Sequence, residues 1–354
     1  MKAHYSAIDR IFHQLALGSQ AVRSLSSDIN SIVAAPASPE FRDREHIFVA
    51  GLARSGTSIL LQSLFKTRRF ATLTYRHMPF VLAPSVWTLA SRKFQVEAVT
   101  RERAHGDGVQ VDFDSPEAFE EVFWLTVFSK RYVEKGALCS LGPEYFDNTI
   151  LEKLVQFVSS VVDSDLNGTE GKRYLSKNNN NVLRLSVLKE AFPNAHLLVP
   201  FRNPLAQARS LLRQHQHFCA LQREDPFALR YMNWLGHHEF GLNHKPFRFL
   251  GDDLHEPTDP TRIEYWLTYW SSVYRHLQQH APEGTIFVDY DALCREPENV
   301  LHGLSRKIKL EFSELDPSVF VVRQSNCQAA CDSGQLEEAE NLYRELVRKS
   351  GQRP

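Results

Sequence analysis

A short segment of small residues with a single arginine is the part of the chain whose residue types point most directly to chemistry. The apolar run Ile47–Gly51 leads into Ala53–Ser58, where Arg54 is the only charged side chain, and helix-forming residues follow. Backbone N–H groups at the start of a helix lack intrahelical partners and lie at the positive end of the helix dipole. A phosphate or sulfate binds well at such a place, so the segment predicts an anion site.

The residues after the second glycine separate this segment from the usual loop of nucleoside-triphosphate enzymes. The spacing Gly51-x-x-x-x-Gly56 matches that loop, but Thr57 and Ser58 follow where the motif requires lysine and then serine or threonine. Arg54 is then the cation of the loop. A divergent kinase or NTPase would lack the lysine that bridges the phosphates, so it is the alternative interpretation here.

A second candidate anion site combines Arg202 with Ser210. The apolar run His196–Phe201 precedes Arg202, and Pro204 suits the first position of a helix, so Arg202 lies where a strand ends and Ser210 about two turns into the helix. A guanidinium fork and a hydroxyl together suit a phosphate monoester. Considered alone, Arg202 fits a structural salt bridge equally well. If the two strands are neighbours, the two sites bind one ligand with two separated anionic groups.

Strands alternate with helices along the chain. The strands are predicted at Ile47–Gly51, Ala71–Tyr75, Arg173–Lys177, His196–Phe201 and Thr285–Asp289, and the helices at Thr57–Lys66, Pro116–Lys135, Asn148–Asp163, Val182–Ala191, Leu205–Leu221 and Phe227–Phe240, with a further helix over Tyr265 to Leu277. This alternation is typical of an α/β protein with a parallel sheet flanked by helices. Its ligands are expected at the carboxyl ends of the strands.

The predicted elements divide the chain into three parts. Residues 1–40 form an N-terminal helical extension, residues 41–315 the main domain, and residues 316–354 a C-terminal helical tail. The apolar residues near the N-terminus recur at helical spacing. We expect this amphipathic helix to pack on the main domain rather than on a membrane surface, and the terminal helices to offer surfaces for an oligomer.

Composition argues against several classes of partner and site. Lys plus Arg number 41 against 42 Asp plus Glu, a net charge of −1, so the chain as a whole does not attract nucleic acid or an anionic membrane. The five cysteines are scattered without metal-ligand spacing, and His237, His238 and His244 lack the spacing of a zinc motif. No apolar run approaches the roughly 20 residues that span a bilayer. We therefore expect a cytoplasmic protein without metal, nucleic acid or transmembrane segment.

Four motifs resemble those of the sulfotransferases that use 3′-phosphoadenosine 5′-phosphosulfate (PAPS), in the bacterial and tyrosylprotein branch. In chain order they are the 5′-phosphosulfate loop at Ala53–Ser58, a lysine-bearing strand end at Leu175–Asn178, the 3′-phosphate motif from Phe201–Pro204 to Ser210, and the last strand within Ile286–Pro297. The resemblance covers Ile47–Leu310. It implies a sulfotransferase fold of the P-loop nucleotide-hydrolase kind.

The resemblance also implies a role for each matched residue. The 5′-phosphosulfate would be bound by Arg54, Ser55, Gly56, Thr57 and Ser58, the 3′-phosphate by Arg202 and Ser210, and the nucleotide by Tyr290, with Lys177 approaching the sulfuryl group from the opposite side. Arg54 would also stabilise charge on the leaving bridge oxygen. Because a sulfuryl group carries less charge than a phosphoryl group, fixed Arg and Lys donors suffice without a metal ion. The expected acceptor is a hydroxyl of a small molecule or glycan.

The general base is the point at which the chain departs from this family. Tyrosylprotein sulfotransferases place a glutamate at the end of the strand after the phosphate-loop helix, where this chain has Tyr75-Arg76-His77. His77 is therefore the candidate base, with an ordinary pKa near 6.5. The reserve candidates are His105, Asp107, Glu117, Glu120 and Glu121. A non-catalytic module that keeps both anion sites is a third interpretation of the chain.

Overall fold

The computed structural model of the chain contains a parallel sheet flanked by helices. It describes residues 7–91, 101–102, 110–111, 114–165, 171–250, 259–322 and 333–351. The strands are β1 (Ile47–Val49), β2 (Phe70–Ala71), β3 (Arg101–Glu102), β4 (Gln110–Val111), β5 (Leu138–Cys139), β6 (Arg173–Lys177), β7 (His196–Phe201), β8 (Phe247–Arg248) and β9 (Ile286–Asp289). The helices are α1 (Ala7–Gly18), α2 (Gln20–Val33), α3 (Pro39–Arg42), α4 (Thr57–Lys66), α5 (Pro84–Ser91), α6 (Glu121–Tyr132), α7 (Asn148–Asp163), α8 (Leu185–Ala191), α9 (Pro204–Glu224), α10 (Pro226–Leu235), α11 (Ile263–His280), α12 (Tyr290–Arg295), α13 (Pro297–Lys307) and α14 (Ser333–Ser350).

The main sheet has five strands within the described ranges, in the order β2-β6-β1-β7-β9. Strand β1 lies between β6 and β7, so that Val49 is opposite both Lys177 and Leu198. Strand β9 continues the sheet beyond β7, with Asp289 opposite Phe201. All of these pairs are parallel, which confirms the predicted fold class. It also confirms that the two candidate anion motifs follow neighbouring strands.

Both faces of this sheet are buried, which explains why β1 is an apolar run and β7 is apolar after its first residue. Successive residues of a strand point to opposite faces. Phe48 therefore joins one apolar cluster, together with α7, α9 and α11, while Ile47 and Val49 join a second cluster with Leu60 of α4 and Leu301 of α13. The sheet is thereby fixed on both sides, and its carboxyl edge provides a rigid base for the loops that follow.

The predicted elements agree best with the structure around the main sheet. Helices α4 and α7 and strands β6 and β7 have the predicted bounds. The predicted strand Ala71–Tyr75 is instead the short β2, followed by a 3₁₀ turn over Tyr75–His77. The reason is local, since the backbone N–H of Thr74 donates to Nδ1 of His77 at 3.0 Å and closes this turn.

The two ends of the chain pack against the sheet domain. The N-terminal region forms two helices rather than one, because Ser19 breaks the helix and its hydroxyl accepts a hydrogen bond from the Val22 N–H at the start of α2. Helix α1 contacts α10, and α2 contacts α5, α6 and α7. Helix α14 lies on α11 and β9, where the Tyr343 hydroxyl donates to the Asp289 carboxylate. The division at residues 40 and 315 stays a prediction. Among the described helices, none is long and apolar enough to cross a bilayer.

Candidate active site

The loop between β1 and α4 contains two residues with positive φ angles, a backbone conformation that glycine adopts more easily than other residues. Arg54 and Gly56 have φ angles of 69° and 90°, and Gly56 is the residue before the first turn of α4. A Cβ atom at Gly51 would lie 2.8 Å from the Pro200 carbonyl oxygen, so glycine allows β1 and β7 to approach here. The Ser55 hydroxyl donates to the Leu52 carbonyl at 2.8 Å and holds the loop closed. Gly56, the N-cap residue of α4, has no side chain to cap the helix, so an anion can satisfy its first N–H groups.

Helix α9 supports the same loop through the buried side chain of Gln207. Its Nε2 donates to the carbonyl oxygens of Leu52 and Ala53, at 3.3 and 2.9 Å. Its Oε1 accepts a hydrogen bond from Nε1 of Trp270 at 2.9 Å. Gln207 has no signal in the sequence, because a lone amide on a helix matches no motif or spacing. Its contacts make the loop rigid where it presents Arg54.

The two predicted anion motifs meet at Arg54. Its Nε donates to the hydroxyl oxygen of Ser210 at 3.0 Å, and Ser210 is buried on α9. The register of β1 against β7 makes this contact possible, since the segment after each strand leaves the sheet at the same edge. One ligand with two anionic groups can therefore contact both motifs.

Arg202 and Tyr290 lie together at the carboxyl ends of β7 and β9. The Arg202 guanidinium is 5.6 Å from the centroid of the Tyr290 ring. That ring lies directly against the anion loop, because a Cβ atom at Gly56 would be only 2.1 Å from its Cδ2 atom. Asp291 accepts hydrogen bonds from Arg202 Nε at 3.3 Å and from the Asn203 N–H at 2.6 Å. A phosphate at Arg202 would therefore compete with the Asp291 carboxylate.

Lys177 ends the strand on the other side of β1. The next residue, Asn178, donates its N–H to the Val49 carbonyl at 3.1 Å, which fixes this strand end beside the anion loop. The Lys177 side chain is mostly buried. Two residues further on, Asn179 Nδ2 donates to Glu239 Oε1 at 3.0 Å. The structure thus brings Lys177 to the same edge of the sheet as Arg54.

Two of the reserve carboxylates are structural. Glu121 is buried and accepts hydrogen bonds from Arg184 Nη2 at 3.0 Å and from Asn178 Nδ2 at 2.7 Å. Glu120 is buried and accepts from Asn181 Nδ2 at 2.9 Å. These bonds hold the polar run that follows Lys177, and they occupy the oxygens that a proton acceptor would need.

The structure does not bring His77 together with the other two predicted catalytic residues. Its Nε2 is 3.4 Å from the Ser164 hydroxyl oxygen, and the adjacent Asp165 pairs with Lys172 at the amino end of β6. Lys177 lies at the opposite, carboxyl end of that strand. Burial lowers the pKa of His77 to about 4. Its assignment as the base stays a prediction that this geometry does not favour.

The other reserve bases have different outcomes. His105 and Asp107 lie outside the described residues. Glu117 lies beside the end of β2, where its N–H donates to the Leu73 carbonyl and its carboxylate accepts from the Tyr75 hydroxyl at 3.1 Å. Within the described ranges no group of His, Cys, Asp and Glu side chains is arranged to hold a metal ion.

A carboxylate and an imidazole that the sequence interpretation did not pair lie next to Lys177. His237 Nδ1 is 3.6 Å from Glu239 Oε2, in the segment that follows α10. Burial opposes ionisation of Glu239, but the charges of His237 and Lys177 outweigh it and hold the pKa of Glu239 well below its ordinary value. Their spacing carries no motif, because only the path of the chain after α10 brings them to this edge.

Comparison with known proteins identifies the family. A sequence profile described as the sulfotransferase family matches residues 46–239, more than half of the chain. No curated protein sequence gives a match. Sulfotransferase STF9 of Mycobacterium avium is a similar solved structure, with 11% identity, coverage of 100% of this chain and 88% of that chain, and a TM-score of 0.47. STF1 of Mycobacterium tuberculosis H37Rv has 13% identity, coverage of 99% of this chain and 87% of that chain, and a TM-score of 0.44. A sulfotransferase of Alicyclobacillus acidocaldarius has 14% identity, coverage of 88% of this chain and 97% of that chain, and a TM-score of 0.39. On the match of the family profile, the chain belongs to the sulfotransferase family.

Proposed function

We propose that the protein transfers a sulfuryl group from PAPS to a hydroxyl of a small molecule or glycan. The observation that carries this proposal is the 3.0 Å hydrogen bond from Arg54 Nε to Ser210 Oγ, which joins the two anion motifs. PAPS has anionic groups on both sides of its ribose and would contact both motifs at once. A nucleoside triphosphate would use only the first, so the kinase alternative gives Arg202 and Ser210 no ligand to bind.

The residues at the carboxyl edge of the sheet would have different roles in the reaction. Arg54 and the first N–H groups of α4 would hold the 5′-phosphosulfate and stabilise the charge that develops on the bridge oxygen as its bond to sulfur breaks. Lys177, from the neighbouring strand, would balance the charge of the sulfuryl oxygens. Arg202 would bind the 3′-phosphate once that group displaces Asp291, with Tyr290 beside the nucleotide. In-line positioning and fixed charge supply most of the catalysis in such transfers.

Calorimetry with a matched pair of nucleotides tests this assignment. We expect 3′-phosphoadenosine 5′-phosphate (PAP) to bind about 10- to 100-fold more tightly than AMP, because hydrogen bonds to a charged group contribute about 1.5–3 kcal/mol. Arg202→Met should remove most of that difference while AMP affinity stays unchanged. Tight binding of ATP, with no preference for PAP over AMP, would contradict the proposal and support the kinase interpretation. Binding of PAP without release of PAP from PAPS would support a non-catalytic module.

We also propose that the N-terminal helices α1 and α2 mediate self-association. Seven of their large apolar side chains are between 42% and 84% exposed: Ile11, Phe12, Leu15, Leu25, Ile29, Ile32 and Val33. Within these helices two aspartates balance two arginines, so the surface has no net charge that would attract anionic lipid. An apolar, neutral surface suits a second copy of the same chain.

Light scattering after gel filtration measures this association. We expect the wild-type protein to be a dimer and Ile32→Ser, at the most exposed of these positions, to shift it toward monomer. Val322→Ser, at an exposed apolar residue outside the two helices, is the matched control and should remain dimeric. A wild-type protein that is monomeric at high micromolar concentration would overturn the assignment.

A further inference from the structure

We infer that His237, oriented by Glu239, removes the proton from the acceptor hydroxyl. This inference rests on the proposed sulfuryl transfer, because it names the proton acceptor of that reaction. The pair comes from the segment after α10 and not from the end of β2, where the sequence predicts the base. Its position, orientation and electrostatic surroundings each support this assignment.

The segment that carries the pair is fixed against the strand end that carries Lys177. Asn179 Nδ2 donates to Glu239 Oε1 at 3.0 Å, and Asn180 Nδ2 donates to the Gly236 carbonyl at 3.2 Å. Gly236 has a φ of 74°, which ends α10 and turns the chain toward this edge. Asn179 and Asn180 directly follow the end of β6, and β6 is the neighbour of β1. The pair therefore contacts the segment that leaves the sheet beside the anion loop.

The imidazole and the carboxylate of the pair lie within ion-pair distance of each other. His237 Nδ1 faces Glu239 Oε2 at 3.6 Å, while the other Glu239 oxygen is held by Asn179. Nε2, on the far side of the ring, is then the nitrogen left for an acceptor. The His237 side chain is 18% exposed, so a ligand in the site can reach it. At this ion-pair distance the carboxylate stabilises the imidazolium that forms.

Charged groups on three segments face His237. Burial by itself lowers the pKa of His237, but Glu239 and Glu117 outweigh both burial and the opposing charge of Lys177, so the pKa is raised above its ordinary value. A higher pKa makes the neutral imidazole a stronger proton acceptor. The ring is neutral only above that pKa, so the reaction should slow as the pH falls through it.

The proposed step conserves atoms and charge. Neutral Nε2 of His237 takes the hydroxyl proton while the acceptor oxygen forms its bond to the sulfur of PAPS. The bond from sulfur to the bridge oxygen breaks, and its electron pair stays on the 5′-phosphate of PAP. The imidazolium, held by Glu239, then returns its proton to water.

A substitution at His237 and one at a control histidine test the assignment by turnover and by donor binding. The assay measures release of PAP from PAPS with water, phenols and sugars as acceptors, and calorimetry measures PAP affinity. We expect His237→Gln to lower kcat by about 10²- to 10⁴-fold, which is the usual contribution of a positioned proton acceptor. Its PAP affinity should change by less than about 3-fold, because donor binding does not use the ring. His302→Gln, at an exposed histidine on α13, is the matched control and should keep the wild-type rate.

The pH dependence separates a base from a structural residue. The wild-type kcat/KM should fall on the acid side as His237 becomes protonated. Glu239→Gln removes the carboxylate that raises this pKa, so the acid limb should move to lower pH. A purely structural role of Glu239 would lower the rate and leave the limb in place.

The outcomes distinguish this inference from the function on which it rests. Three results would overturn the assignment of His237 and Glu239 and leave the proposed sulfuryl transfer intact. They are a wild-type rate in His237→Gln, an acid limb that does not move in Glu239→Gln, and a comparable loss of kcat that is seen only in His77→Gln. A wild-type protein that does not bind PAP would overturn the proposed function itself. A wild-type protein that binds PAP and releases none from PAPS with any acceptor would count against both.

Discussion

Replacing Arg54 with alanine is expected to lower kcat for PAP release by about 10²- to 10³-fold, with the protein still folded. Arg54 is the cation of the anion loop, and its guanidinium contacts the second anion motif through Ser210. Without it, only backbone N–H groups would stabilise the charge on the bridge oxygen. PAP affinity should fall less than kcat, because that charge is largest in the transition state. Turnover and calorimetry on the same preparation measure the two effects.

Arg68→Ala is a matched control for this substitution. Arg68 follows the same helix α4 and also has a positive φ, 61° against 69° for Arg54. Because alanine keeps the Cβ atom that arginine already has, neither substitution adds backbone strain. Arg68 is exposed beyond the carboxyl-terminal end of α4, away from the anion loop. Equal activities of the two variants would mean that Arg54 has no part in transfer. Arg54→Lys keeps the positive charge but not the bidentate hydrogen bonds of a guanidinium, so it should give an intermediate rate.

The sheet was predictable because its residues are buried on both faces. Strand β7 is an unbroken apolar run, and the sequence gives its bounds correctly as His196–Phe201. Helix α4 was predictable for a different reason, since Ile59, Leu60 and Leu64 have the spacing of one helix face directed toward a sheet. The rule that such units are parallel predicts that both anion motifs lie at the same edge of the sheet, but it does not determine the strand order. That β1 and β7 are neighbours, which places Arg54 next to Ser210, is a finding of the structure.

The proposed acceptor side was not predictable, because it depends on contacts between distant segments. Strand β2 was expected to carry a base at its end, but the Thr74 N–H bonds to His77 and turns the chain away. His237 was named only among histidines that lack the spacing of a zinc motif, and Glu239 was not singled out. Hydrogen bonds from Asn179 to Glu239 and from Asn180 to the Gly236 carbonyl place them beside Lys177. No spacing of residues along the sequence predicts such contacts.

The second large effect is expected at Arg184, where Arg184→Met should destabilise the protein by about 3–5 kcal/mol. Its Nη2 lies 3.0 Å from both oxygens of Glu121, and the two side chains are only 5% and 2% exposed. The guanidinium also lies over the rings of Trp124 and Tyr132. Removing it leaves the Glu121 carboxylate buried without its cation. For a chain of this length we expect the Tm to fall by about 4–7 °C in calorimetry.

A double-mutant cycle shows whether the loss comes from the orphaned charge. Glu121→Gln combined with Arg184→Met removes both charges and should recover part of the stability that Arg184→Met loses. Arg275→Met is the matched control, because Arg275 pairs with Glu338 at the surface, where both side chains are exposed and such pairs contribute less than about 1 kcal/mol. Equal losses in Arg184→Met and the double mutant would mean that lost packing on the aromatic rings, not the buried charge, sets the cost.

The same cycle also tests whether this network positions the active site. Glu121 holds Asn178, which directly follows Lys177, so the network lies one residue from a predicted catalytic side chain. If the network positions that strand end, Arg184→Met lowers kcat at temperatures where the variant is still folded, and the double mutant does not fully restore it. A variant with lowered Tm and an unchanged kcat below it would show that the network stabilises the fold alone. Lys177 would then owe its position to the β1–β6 register, in which it lies opposite Val49.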